Sequence, residues 1–172
     1  MCGVIVMDTF SANKVILMPW LQSIIEKGQM SDSVFFQFTD LLDWRKRGNN
    51  QAVLEPLISF LAESGDEAIF AFDDKMAELL YALDTRKVAD LMIGNGNVVL
   101  SADEFLYARC VALVNGESTY RAVLNGTVKL RADIEFRPIL YVPSRAWARR
   151  HNKNRRKYPH KYCYEVFDSI GR

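Results

Sequence analysis

Asp73 and Arg109 are charges that the sequence pattern places among apolar residues. Each falls within the apolar stripe of its own predicted helix, Asp73 between Ile69 and Leu80, Arg109 between Phe105 and Leu113. A lone charge in a core is costly, so each needs a partner, and a bidentate Asp–Arg pair across packed helices would satisfy both. The expected role of the pair is to fix helix register. Its functional alternative is a cleft in which Arg109 receives an anionic ligand. Met1-Cys2-Gly3-Val4 offers a second chemistry, because loss of Met1 would leave Cys2 with a free α-amine as base for its own thiol. His160 and Cys163 are three apart and could share a metal, but two ligands do not make a site, and the other histidine is His151. No metal, cofactor or catalytic constellation is expected.

Charge supplies the remaining candidates. Residues 1–110 hold 16 Asp+Glu against 9 Lys+Arg, a net of −7, whereas residues 111–172 hold 5 against 13, a net of +8. The two halves can each face a charged partner or screen one another. On the acidic side Asp66, Glu67, Asp74, Glu78, Asp84 and Asp90 decorate the outer sides of two successive helices, a surface suited to a basic protein. On the basic side Arg149, Arg150, Arg155, Arg156 and Lys157 are interleaved with Trp147, Tyr158 and Tyr162, with no acidic residue from Phe136 to Tyr164. Phosphate neutralisation with aromatic stacking would make that segment a nucleic-acid contact. The competing expectation is a solvated tail folding back on the acidic helices.

The elements that must position these residues are helical. Ser31 or Asp32 caps a helix carrying Val34, Phe35, Phe38, Leu41 and Leu42, expected to run to Arg45-Lys46-Arg47. Gln51 to Glu63 forms another, with Pro56 tolerable only near its first turn. Ser64 to Glu67 has the spacing of a capping box, and Ile69, Phe72, Met76, Leu79, Leu80 and Leu83 then step by three and four. Arg86 to Ile93 is a short helix running into the turn Gly94-Asn95-Gly96-Asn97. Ser101-Ala102-Asp103-Glu104 opens a helix closed by Asn115-Gly116. Tyr120 to Leu124 and Glu135 to Arg149 are weaker patterns, the second interrupted by Pro138 and Pro143. Val4 to Met7 and Val15 to Met18 allow a short N-terminal hairpin, followed by a helix from Pro19 to Gly28. The fold class is therefore mainly α, a single multi-helix bundle over residues 1–150 with a basic, irregular tail over 151–172.

Leu79-Leu80-Tyr81-Ala82-Leu83-Asp84, the apolar helix into Ile93-Gly94-Asn95-Gly96, and Ser101-Ala102-Asp103-Glu104-Phe105-Leu106-Tyr107-Ala108-Arg109 with Gly116 and Tyr120 resemble an uncharacterised bacterial helical domain family. That family occurs alone or beside WGR domains, with some members in toxin-encoding loci. The resemblance spans residues 70–130 and implies an all-α fold. It implies no established activity. The acidic surface, taken with the toxin-locus habit of that family, leads to the expectation of a non-enzymatic protein-binding role, in the form of an immunity protein that neutralises a secreted toxin by direct binding. Ala108 departs from the aromatic that the family favours, and neither terminal segment belongs to the pattern. The Cys2 start is similar to that of N-terminal-nucleophile glutamine amidotransferases, but those need a β-rich sandwich longer than this chain.

The longest apolar runs fall far short of the roughly 20 residues of a membrane-spanning helix. With no basic region ahead of the short N-terminal apolar stretch and three cysteines in no close paired spacing, the cytoplasm is the expected compartment.

Overall fold

Seven helices account for most of the described chain: α1 (Asp32–Thr39), α2 (Asn50–Ser64), α3 (Asp66–Ala82), α4 (Arg86–Asp90), α5 (Ala102–Val114), α6 (Gly116–Asn125) and α7 (Val142–His151). The computed structural model describes Ile24, residues 28–92 and 101–159, and Lys161, Tyr162 and Tyr164. Cys2, the 4–18 hairpin, His160, Cys163 and the Gly94–Asn97 turn lie outside those residues. No strand occurs among the described residues, so the expectation of a mainly α bundle holds.

The core is aromatic at its centre. Phe72 of α3 stacks on Phe35 at 4.8 Å between ring centroids, and Phe38 meets Phe60 edge-on at 5.3 Å. All four rings are buried, and such pairs add to the area term that drives the packing. Around this centre α3 lies against α1, α2, α5 and α7, while α2 packs most extensively on α7. The α3 helix is thus the central element, and its buried stripe of Ile69, Phe72, Met76, Leu79 and Leu80 follows the predicted spacing.

Several boundaries differ from expectation for local reasons. The α1 helix ends at Thr39 instead of reaching Arg45, and Asp43 caps a separate 3-10 turn over Trp44–Lys46. Ser64 does not cap α3. Its hydroxyl donates back to the Phe60 carbonyl at 2.7 Å, closing α2, and Gly65 at φ +112° makes the break that a residue with a Cβ would resist. Pro56 lies in the second turn of α2, beyond the first-turn position expected for it. The missing N–H costs about 3 kcal/mol in a helix interior, and burial of Val53, Leu54, Leu57, Ile58, Phe60 and Leu61 on the same helix offsets it. Pro138 and Pro143 do not interrupt a helix. They open two elements, the 3-10 turn Arg137–Tyr141 and α7, where a missing N–H is cheapest.

The capping box of α5 forms as its spacing requires. The Glu104 N–H donates to Ser101 Oγ at 3.2 Å, and the Ser101 N–H donates to Glu104 Oε2 at 2.9 Å. Ser101→Ala should therefore cost about 1 kcal/mol, read as a lower urea midpoint with an unchanged m-value. An unaltered midpoint would mean that this cap contributes nothing to the fold.

As far as it is described, the segment beyond residue 150 is anchored to the bundle at Tyr158, while residues 152–157 are exposed. The α7 helix runs to His151, Asn152 caps it at φ 49°, and Tyr158 is only 4% exposed. No helix among the described residues is long and apolar enough to cross a membrane.

Candidate functional site

The last turn of α3 must find partners for carbonyls that have no donor within the helix. Tyr120 Oη donates to Leu79 O at 3.0 Å, and Arg109 Nη1 donates to Leu80 O at 2.9 Å. The same Nη1 lies 3.2 Å from Asp84 Oδ2, both side chains being 3% exposed, and the guanidinium sits 4.5 Å over the Phe105 ring. A cation at a helix C-terminus also meets the negative end of the helix dipole. Burial lowers the Arg109 pKa and Asp84 opposes that shift.

Arg109 therefore pairs with Asp84, not with Asp73 as expected. The reason is axial position: Asp73 lies eleven residues earlier, about 16 Å up α3, whereas Asp84 follows the end of the helix where Arg109 arrives. The side chain of Asp84, expected on the outer acidic side, is correspondingly covered. Asp73 instead accepts from two tyrosines that the basic segment delivers, Tyr158 Oη at 2.9 Å and Tyr164 Oη at 2.7 Å. Burial first, then Asp73, raises the pKa of both phenols.

The basic segment folds back onto the acidic helices, as the screening alternative anticipated. Arg149 grips Glu55 through Nη1 at 2.6 Å and Nη2 at 3.0 Å, which holds the Glu55 carboxyl below its usual range. Arg150 reaches Asp66 at 3.2 Å and the Ala62 carbonyl at 3.1 Å, and His151, its ring tilted against Trp147 at 4.7 Å, meets Asp66 at 2.9 Å. Lys161 sits 2.9 Å from Asp74. Arg155, Arg156 and Lys157 remain exposed on the 3-10 turn that follows α7.

Of the six acids expected to face a partner, Asp66 and Asp74 are thus engaged internally, and Asp90 pairs with Arg86 at 3.2 Å on the short α4. Glu67 is exposed in the first turn of α3. Asp74 and Glu78 come together along the outer side of α3, in a cleft of about 630 Å³ whose lining includes Met30, Lys75, Tyr81 and Tyr162. Lys75 bridges Glu78 at 2.7 Å and Asp32 at 3.1 Å, yet Glu78 remains 66% exposed. Tyr81 is 71% exposed and was not singled out from sequence. Its signal was available: Asp74, Glu78 and Tyr81 fall at i, i+4 and i+7, one stripe opposite the buried one.

Among the described residues no group of His, Cys, Asp and Glu could hold a metal ion. Cys110 is buried, which pushes its thiol up to about 12. That is the character of a packed cysteine rather than a nucleophile.

Helical packing around one aromatic core, with its buried charges, Asp73 and Arg109, each given partners, defines a helical bundle domain. The chain belongs to the family described as Protein of unknown function (DUF4240), whose model matches residues 30–149. The resemblance to an uncharacterised helical family is borne out, and the match extends past both ends of the 70–130 stretch that carried it. No curated protein and no solved structure matches the chain.

Proposed function

We propose that this domain is non-enzymatic and works by holding a basic protein against the outer side of α3. The observation that supports this reading is the exposed stripe of Tyr81 and Glu78 in the α3 cleft, beside Asp74 and Tyr162. A tyrosine supplies a large, stiff, amphipathic contact, and the exposed Glu78 carboxylate beside it favours a cationic partner and speeds its approach. The specific form of the proposal is an immunity protein that neutralises a cationic secreted toxin by direct binding. That form follows from the charge match and from the toxin-locus habit of the resembled family.

The test is capture from nuclease-treated lysate by immobilised wild-type chain and by the double variant Tyr81→Ala, Glu78→Lys. Both side chains are exposed and Lys75 keeps Asp32 when Glu78 is replaced, so the variant should stay folded with a loss of about 1 kcal/mol or less. A protein retained by the wild type, released by salt and lost from the variant is the expected result. Equal retention by both would move the contact elsewhere on the surface, and retention abolished by nuclease would replace the protein partner with nucleic acid.

A further inference from the structure

Arg145 and Arg149 lie one turn apart on α7 and share a face. With Arg155 they line a cleft of about 280 Å³, closed by Gln51, Glu55 and Ile58 of α2 and by Ala148. The three arginines are not equivalent. Arg149 is committed, with Glu55 on both carboxylate oxygens and Ser59 Oγ at 2.6 Å. Arg145 is half-buried, and among the described residues it makes no hydrogen bond or ion pair, acting on Glu55 only through its field. Arg155 is exposed, its guanidinium 5.5 Å from the centre of the Tyr141 ring and without a carboxylate partner among the described residues.

The cleft therefore gathers three cations and one anion, leaving a charge of +2. That charge is fixed near neutrality, because arginine does not deprotonate and Arg149 keeps Glu55 ionised. An uncompensated, half-buried guanidinium in a concavity is an anion site in search of its anion. A phosphate monoester carries close to two negative charges and offers oxygens spaced for the guanidinium fork. Gln51 adds an amide donor, while Ile58 and Ala148 supply an apolar wall for an organic group. We infer that this cleft binds the phosphate of a small organic phosphate ester, Arg145 and Arg155 contacting the phosphate and the Arg149–Glu55 pair holding the wall in place. The site stands apart from the α3 surface and does not depend on the partner proposed there.

Calorimetric titration with phenyl phosphate and with inorganic phosphate, at constant ionic strength near pH 7.5, tests the inference. A single-stranded oligonucleotide lacking terminal phosphates serves as the competing ligand. Phenyl phosphate should bind the wild-type chain, and Arg145→Gln and Arg155→Gln should each weaken it about tenfold or more. Arg156→Gln, outside the cleft, should leave binding unchanged. Arg155 is exposed, so its variant keeps the test decisive if Arg145→Gln fails to fold. Absence of heat from both phosphates up to roughly 20 mM, equal affinity in the two cleft variants and the wild type, or tighter binding of the oligonucleotide would each overturn the assignment.

Discussion

Arg109→Leu should lower the free energy of unfolding by about 3–5 kcal/mol, the cost of leaving a buried carboxylate without its cation. Three consequences converge on that one side chain: Asp84 loses its partner, Leu80 O loses its donor, and the Phe105 ring loses the guanidinium above it. At about 2–4 °C per kcal/mol for a domain of this size, thermal unfolding should begin many degrees earlier. Two further variants separate pairing from packing. Arg109→Leu combined with Asp84→Leu should recover much of the loss, since an apolar replacement of a whole buried pair is often neutral. A double-mutant cycle with Asp84→Ala should show strong coupling to Arg109, whereas a cycle with Asp73→Ala should show little, because Arg109 meets the C-terminal end of α3 and Asp73 lies well back along that helix. Unchanged stability in Arg109→Leu would sink the buried pair, and strong coupling to Asp73 would restore the pairing first expected.

The contrast between those two aspartates marks how far the sequence could be read. The helical stripe around Phe72 and the Ser101 cap were legible because both depend on spacing within one element. The need of Arg109 for an acid was legible for the same reason. Which acid it meets was not, because that depends on where α5 crosses α3, a property of neither helix alone. The packing of the basic segment was hidden differently. Arg149 through Lys161 read as solvated charge, and the residue that anchors it, Tyr158, is an isolated aromatic with no periodic companions. Its burial becomes visible only when Trp147, Phe70 and Asp73 are found around it. Ser64 shows the opposite failure, a correct local motif overridden because its hydroxyl had a nearer acceptor in Phe60 O.

The anchoring tyrosines also set an alkaline limit on the fold. Burial raises the phenol of Tyr120 to about 12 and raises Tyr158 and Tyr164 as well, while the Cys110 thiol also rises to about 12. In an unfolded chain these groups ionise at about 10 for tyrosine and about 8.5 for cysteine. The native state therefore binds more protons than the unfolded one above those values, so stability is intact below about pH 8.5 and falls as pH rises. Each fully buried group contributes a slope of about 1.4 kcal/mol per pH unit. Cys110, Tyr120 and Tyr158 together should remove several kcal/mol by about pH 11, against a total of about 5–15 kcal/mol for an ordinary domain. The expected result is cooperative loss of helical circular dichroism near pH 11, with late phenolate absorbance at 295 nm arriving in the same step. Tyr158→Phe should make stability less steeply dependent on pH above 10, even though it also surrenders a hydrogen bond to Asp73. If all seven tyrosines ionised below that step with helicity intact, Tyr158 and Tyr164 could not be donating to Asp73, and the basic segment would not be fastened to α3 in the way described.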